Sequence, residues 1–187
     1  KGLDASDGFV IKLSQWLDRV LPKNLKLGVD TINTVPTAAG LASSASGFAA
    51  LTLSTNSLMG WNLPQHQLSA LARLGSGSAS RSLWHGFVKW HAGQLPDGSD
   101  SVANPLDHQW PDLRVGLLTV SSHTKAVSSR EGMARTIATS KLYKQWPQQA
   151  QNDLATIEAA IAMGDFETMA KTAEHNAMSM HATMASA

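Results

Sequence analysis

The residues from Ala42 to Met59 most restrict what this chain can fold into. They are mostly Ala, Ser, Gly and Thr, contain no proline, and carry their bulk at Phe48, Leu51, Leu53 and Leu58. Strands seldom exceed about 10 residues, so the run predicts a buried helix whose small side chains let neighbours approach closely. A small-residue turn, Pro36-Thr37-Ala38-Ala39-Gly40-Leu41-Ala42-Ser43-Ser44-Ala45, delivers the chain into it. The sequence therefore reads as a small-residue loop leading directly into a helix.

Charge distribution gives that turn a chemical meaning. Between Asp30 and Asp97 there is no carboxylate, while Arg73, Arg81 and Lys89 lie inside the stretch. A region without acidic groups suits a polyanion. At the turn, small side chains would let a phosphate reach backbone N–H groups and the positive end of the helix dipole. The Ser43 and Ser44 hydroxyls offer further ligands for a phosphate oxygen or a metal ion. The same composition also suits a helix packed on a sheet with serines as caps. It is not a Walker A loop, because no Gly-Lys-Ser/Thr follows.

A second turn, Gly75-Ser76-Gly77-Ser78-Ala79-Ser80-Arg81-Ser82, combines hydroxyls and amides with an arginine able to clamp a carboxylate or phosphate through two N–H groups. A flexible linker with a solvated Arg81 is the alternative. Two such turns in one acid-free stretch favour anion binding. Ser128-Ser129-Arg130-Glu131-Gly132-Met133 is a third candidate, or an ordinary helix start.

Around these turns the pattern reads as α+β. Residues 8–22 have helical spacing, with Val10, Leu13, Trp16, Leu17 and Val20 on one face and Pro22 at the end. Leu25 to Ile32 alternates as a half-buried strand does. Pro64 opens a helix carried by Leu68, Leu71, Ala72 and Leu74 and stopped at Gly75. Leu83 to Trp90 and Asp112 to Val120 read as strands, with Trp84 and Trp90 on one strand face, and from Arg130 the pattern is helical almost to the end. A composition shift near Ser121 marks a domain boundary.

Composition narrows the function further. The chain has 187 residues and a formal net charge of +1, so it has no general basic field for nucleic acid or acidic membranes. It has no cysteine, which removes disulfides, thiolate metal sites and a cysteine nucleophile and agrees with a cytoplasmic setting. No apolar run approaches the roughly 20 residues of a spanning helix. His66, His85, His91, His108, His123, His175 and His181 show no paired-ligand spacing, and no G-x-S-x-G elbow marks a serine hydrolase. The six tryptophans are scattered and suit core packing better than base stacking. Beginning at Lys1 without a methionine, the sequence reads as a piece of a longer protein.

The run PTAAGLASSAS at Pro36 to Ser46 resembles the phosphate-binding motif of the GHMP small-molecule kinase superfamily. Together with GSGSASRSLWHGFVKW, SSREGM and MHAT at Met180 to Thr183, in that order, it is similar to the mevalonate diphosphate decarboxylase family within it. The resemblance implies an α+β, GHMP kinase-like fold. Residues 1–120 would be part of a ribosomal protein S5 domain 2-like domain binding ATP and substrate, and residues 121–187 the helical part of the GHMP C-terminal domain. It also implies an ATP- and magnesium-dependent enzyme that phosphorylates the tertiary hydroxyl of mevalonate 5-diphosphate. Loss of that phosphate and CO2 then yields isopentenyl diphosphate. A homodimer is usual in the family.

Carried over by position, Ala38, Ala39, Gly40, Leu41, Ala42, Ser43 and Ser44 would hold ATP phosphates, with Thr31 and Asn33 as supporting polar groups and Ser43 and Ser44 as candidate metal ligands. Ser76, Gly77, Ser78, Ala79, Ser80 and Arg81 match the substrate-binding segment; Arg81 and Ser78 would act in catalysis, Arg81 by gripping the carboxylate that leaves as CO2. Arg130 would help hold the diphosphate. The sequence lacks the family's Tyr-Trp-Gly-Lys and Asp-Ala-Gly-Pro-Asn segments, the second of which carries its catalytic aspartate. Related enzymes acting on mevalonate 5-phosphate or mevalonate, or a non-catalytic GHMP-like anion-binding protein, are the alternatives.

Overall fold

The computed structural model describes residues 8–32, 34, 42–118, 127 and 129–187. These form helices α1 (Gly8–Val20), α2 (Ser43–Met59), α3 (Gln65–Gly75), α4 (Ser129–Thr139), α5 (Trp146–Met163) and α6 (Phe166–Ala185). Two short strands, β1 (Val88–Trp90) and β2 (Ala103–Pro105), and two 3-10 turns, Gly77–Arg81 and Lys141–Lys144, complete the regular elements. Two compact units divide the chain: Lys1–Gln109 with Gly116–Thr124, and Trp110–Val115 with Lys125–Ala187. Among the described residues, no helix is long and apolar enough to cross a membrane.

In the first unit, Trp16, Phe48, Ala72 and Ala79 form the buried cluster, with Leu17, Val20, Leu51, Leu71 and Leu83 packed around it. Trp16 and Phe48 meet with ring centroids 6.4 Å apart and planes tilted by 51°. The indole Nε1–H of Trp16 also donates to the carbonyl of Leu71 at 2.8 Å, so the aromatic body is buried and its polar edge satisfied. The small residues of α2, together with Ala72 and Ala79, allow these backbones to come close. At Gly75 the approach is closest: a Cβ there would lie 2.0 Å from Phe48 Cδ1. No L-residue with a side chain fits that position unless Phe48 moves.

Helix ends follow local chemistry. Gly60, at φ 63°, terminates α2 with its N–H directed to Asn56 and Ser57 carbonyls. Pro64 sits at the cap position of α3, where its missing N–H is harmless. The expected turn after α3 takes 3-10 geometry over Gly77–Arg81, and this displaces the start of the next predicted strand. Ser82 N–H bonds the Ala79 carbonyl, Trp84 N–H bonds that of Arg81, and Gly86 adopts φ 75°. Only Val88–Trp90 remains as strand, paired antiparallel to β2 in the register Val88 with Pro105, Lys89 with Asn104 and Trp90 with Ala103. Trp84 therefore does not share a strand face with Trp90.

Two further expected strands are not formed among the described residues. Leu25 to Ile32 has the alternation but no ladder, because no strand among the described residues pairs with it. A strand needs a neighbour for its backbone groups, and side-chain alternation cannot supply one. In Asp112 to Val120 the described part, through Leu118, is likewise not strand. There Leu113 N–H bonds the Trp110 carbonyl, and Arg114 Nη1 donates to the Pro111 and Leu113 carbonyls at 2.6 and 3.0 Å. Local bonds of this kind hold a turn.

The second unit is built on α5 and α6. Gly164, at φ 71°, ends α5, and Asp165 immediately caps α6 by accepting from Thr168 N–H at 3.0 Å. Ala160 and Ile161 are buried, and Trp110 donates to the Ile161 carbonyl at 3.2 Å while its ring lies 6.4 Å from that of Phe166. Asp153 is buried too, held by Gln149 Nε2 at 2.7 Å and by Asn176 Nδ2 at 2.8 Å, which ties α5 to α6 through a satisfied carboxylate.

Replacing Gly75 by Ala is expected to destabilise the protein by about 1–3 kcal/mol, the usual cost of overfilling a packed core, read as a lower urea midpoint. A second expectation concerns Asp165. Hydrogen bonds from the Thr168 hydroxyl and N–H favour its charged form and lower its carboxyl below the ordinary value. Its contribution is therefore complete above the unfolded-state pKa and is lost as pH falls through the lowered folded value. Thermal melts from about pH 6 to about pH 3 should show this acid loss, and Asp165→Asn should flatten it.

Candidate functional site

Ser44, at the start of α2, and Ser76, after α3, lie far apart in sequence and meet in space. Helix α2 begins at Ser43 after Ala42, which has left-handed backbone angles (φ 50°, ψ 36°) and provides no side-chain cap. The first turn contains no acidic residue. Neither serine serves as the cap considered from composition; Ser46 Oγ donates to the Ser43 carbonyl at 3.1 Å instead. The N-terminus of α2 thus keeps amide donors and a positive dipole end without an internal anion to neutralise them.

Ser44 Oγ lies 3.3 Å from Ser76 Oγ, and Ser76 Oγ lies 3.5 Å from Ser78 Oγ. This line of hydroxyls runs from the start of α2 into the 3-10 turn. Ser76 and Ser78 are half-buried and Ser44 is exposed, so the line borders solvent. Hydroxyls both donate and accept, and a cluster of them adapts to phosphate or hydroxyl oxygens without a fixed charge.

The turn itself is rigid. Ala79 and Ser80 are fully buried. Ser80 Oγ donates to the Gly77 carbonyl at 2.7 Å, and the Ser80 carbonyl accepts from Ser69 Oγ of α3 at 3.0 Å. Ser69 Oγ in turn accepts the backbone N–H of Ala103 in β2 at 2.9 Å. One buried hydroxyl therefore connects α3, the turn and the sheet. Gln65 Nε2 fixes the exit of the turn through the Leu83 carbonyl at 2.7 Å.

Arg81 closes the turn and is exposed, and among the described residues no ion pair neutralises it. Its guanidinium carbon stands 5.8 Å from the centroid of the Trp90 ring, within cation–π range. Arg73 reaches the neighbouring loop instead, donating from Nη2 to the Gly98 carbonyl at 2.8 Å. The carboxylates of that loop are engaged internally. Asp97 is lowered by the Ser99 N–H and hydroxyl, and Asp100 by the Gln94 N–H. Both carboxylates are thus occupied in shaping the loop.

Other candidates stand apart. Thr31 lines an apolar groove with Leu17, Phe48 and Leu51 and does not belong to the line of hydroxyls. Asn33, Ala38, Ala39, Gly40 and Leu41 lie outside the described residues, as does Ser128. Arg130 is exposed in the first turn of α4, within the second unit. Among the described residues no group of three His, Asp or Glu gathers as a metal cluster. Sequence reasoning missed Ser69 and Gln65, and it read Trp90 as core packing. Only strand pairing and helix packing bring these residues to the turn, and no local spacing announces them.

Comparison with known proteins gives this geometry a family. Residues 6–103 match the Diphosphomevalonate decarboxylase-like N-terminal domain, and residues 115–187 match the Mevalonate 5-diphosphate decarboxylase C-terminal domain. The diphosphomevalonate decarboxylase of Aspergillus fumigatus is 47% identical over 174 residues, covering 89% of this chain and 42% of that protein. The crystal structure of mevalonate diphosphate decarboxylase from Staphylococcus aureus superposes with a TM-score of 0.77 at 37% identity, covering 95% of this chain and 55% of that one. Another solved relative, in complex with MVAPP, AMPPCP and magnesium, has a TM-score of 0.76 at 32% identity and covers all of this chain (100%) and 57% of its own. The chain spans less than half the length of the curated relatives it matches, 42% and 45% in two of them. With both of its units matched and the two motif turns joined by their serines, this chain belongs to the diphosphomevalonate decarboxylase family.

Proposed function

We propose that the protein carrying this chain decarboxylates mevalonate 5-diphosphate to isopentenyl diphosphate, using ATP to phosphorylate the tertiary hydroxyl first. The observation that carries this reading is the line Ser44–Ser76–Ser78, which joins the helix start suited to nucleotide phosphate with the turn that ends in Arg81. Phosphoryl transfer requires donor and acceptor to be held together more than it requires covalent chemistry from the protein. Residues 1–120 are read as part of an S5 domain 2-like domain and residues 121–187 as part of the GHMP C-terminal domain. A cytoplasmic setting goes with the absence of cysteine.

In this reading Ala38 to Ser44 receive the ATP phosphates, with Thr31 and Asn33 upstream. Amide donors at the start of α2 spread the phosphate charge over several N–H groups. Ser43 and Ser44 offer neutral hydroxyl oxygens, which fits magnesium, an ion that takes few protein ligands and completes its shell with water and phosphate. Bound there, the ion would supply neutralisation of phosphate charge.

Ser76, Gly77 and Ser78 cradle the substrate, Ser78 acting in catalysis by orienting the tertiary hydroxyl, while the wholly buried Ala79 and Ser80, which the motif also includes, hold the turn in shape rather than touch the substrate. Arg81 holds the carboxylate by charge-assisted hydrogen bonds. After the new phosphate departs, positive character develops at the tertiary carbon. The C–C bonding electrons of the carboxylate group then form the alkene, and CO2 leaves. A carboxylate gripped too strongly would resist this change from anion to neutral gas, so an exposed arginine is better suited than a deeply buried one. Arg130 contributes to the diphosphate. Between Asp30 and Asp97 there is no carboxylate, so no carboxylate of that stretch removes the hydroxyl proton.

The full-length gene product is expected to release CO2 from mevalonate 5-diphosphate only with ATP, and more slowly from mevalonate 5-phosphate and from mevalonate. ATP binding without CO2 release from any of the three would favour a GHMP-like anion-binding protein. Arg81→Gln should lower kcat/KM by about 10- to 100-fold, the value of a charge-assisted hydrogen bond; near-normal turnover would remove Arg81 from the reaction.

A further inference from the structure

The structure surrounds Arg81 with groups that the serine-rich motif does not contain. Trp90 lies on β1, where its pairing with Ala103 sets its place next to the turn. Its indole Nε1–H donates to Ser101 Oγ at 3.1 Å, and that hydroxyl, buried, donates onward to the His91 carbonyl at 3.0 Å. The far edge of the ring rests on Gly77: a Cβ there would stand 2.7 Å from the tip of the indole. The ring is thus fixed at its polar edge and seated at its opposite end. Arg81 stands over it.

We propose that Trp90 is a positioning residue for Arg81, with Ser101 and Gly77 holding the indole in the orientation that presents the guanidinium to the substrate carboxylate. The inference rests on the assignment of Arg81 to that carboxylate. An exposed arginine has many rotamers and loses them when it binds. Holding the cation over the π face restricts it beforehand, while the edge N–H donors stay available because a ring face accepts no strong hydrogen bond from them.

The supporting loop is built for fixity. Arg73 anchors it at Gly98, and Asp100 gathers the Gln94 and Leu95 N–H groups immediately before Ser101. A Cβ on Gly93, at φ 81°, would stand 2.6 Å from Asp100 Oδ1, so the loop closes tightly over its own carboxylate. These contacts all precede any ligand. They explain why a loop outside the motif carries so many internal bonds.

The test is a double-mutant cycle in the full-length gene product, with kcat and KM for mevalonate 5-diphosphate as readouts. Trp90→Leu should lower kcat/KM by about two- to fivefold, the fold-change corresponding to a partly exposed cation–π contact. Trp90→Phe, which keeps a ring beneath the guanidinium, should restore most of the loss. In the Arg81→Gln background Trp90→Leu should cost nothing further, because the group it positions is gone. Equal losses in both backgrounds, or failure of Phe to restore activity, would overturn the proposal while leaving the role of Arg81 intact. An Arg81→Gln enzyme of normal kcat/KM would instead remove the carboxylate assignment on which the proposal rests. Should Trp90→Leu not fold, Ser101→Ala in the same two backgrounds gives the same decision.

Discussion

The first unit depends on the contact between Gly75 and Phe48. With no room for a Cβ at Gly75, the end of α3 lies directly on the aromatic ring that α2 buries against Trp16. That closeness places Ser76, the next residue, beside the first turn of α2. If the contact were a side chain wider, Ser44 and Ser76 would separate and the start of α2 would lose its connection to the 3-10 turn. Core packing here does the positioning that a loop alone would not achieve.

Built on that contact is a division of labour between buried and exposed polar groups. Ser69 and Ser80 are buried, fully bonded and fixed. Ser44 and Arg81 are exposed, and Ser76 and Ser78 lie at the boundary. Residues of the same type, a few positions apart, thus either fix the scaffold or face solvent. Burial distinguishes them: an unsatisfied buried hydroxyl is costly, whereas an exposed one exchanges water for substrate at little cost. The second unit uses a similar device at Asp153, whose carboxylate is consumed by two amides in joining α5 to α6.

The sequence was most legible where the signal is local. Helical spacing in residues 8–22, the long small-residue run and the proline before Gln65 correspond to α1, α2 and α3 within a residue or two. It was least legible in the strands. Alternation in Leu25 to Ile32 and apolar character in Asp112 to Val120 describe which face of a strand would be buried, but a strand exists only with a partner. At Leu83 to Trp90, the 3-10 hydrogen bonds begun at Gly77 took the first half of the segment. The Gly-Ser run looked like linker or ligand loop, and its 3-10 geometry comes from buried bonds to α3 and β2.

By itself the sequence determined the acid-free stretch from Asp30 to Asp97, the two small-residue turns within it and the motifs that mark the family. These are properties of residue type and order, so no folding is needed to read them. Tertiary structure alone decided that Ser44, Ser76 and Ser78 form one line, that Ser80 is buried while Arg81 is free to meet solvent, and that Trp90 lies beneath that arginine. The physical reason is that contacts between distant residues are set by helix packing and strand register, and both depend on how much volume each side chain leaves open. At Gly75 and Gly77 the decisive quantity is a missing Cβ, and its consequence appears only when Phe48 and Trp90 arrive beside it.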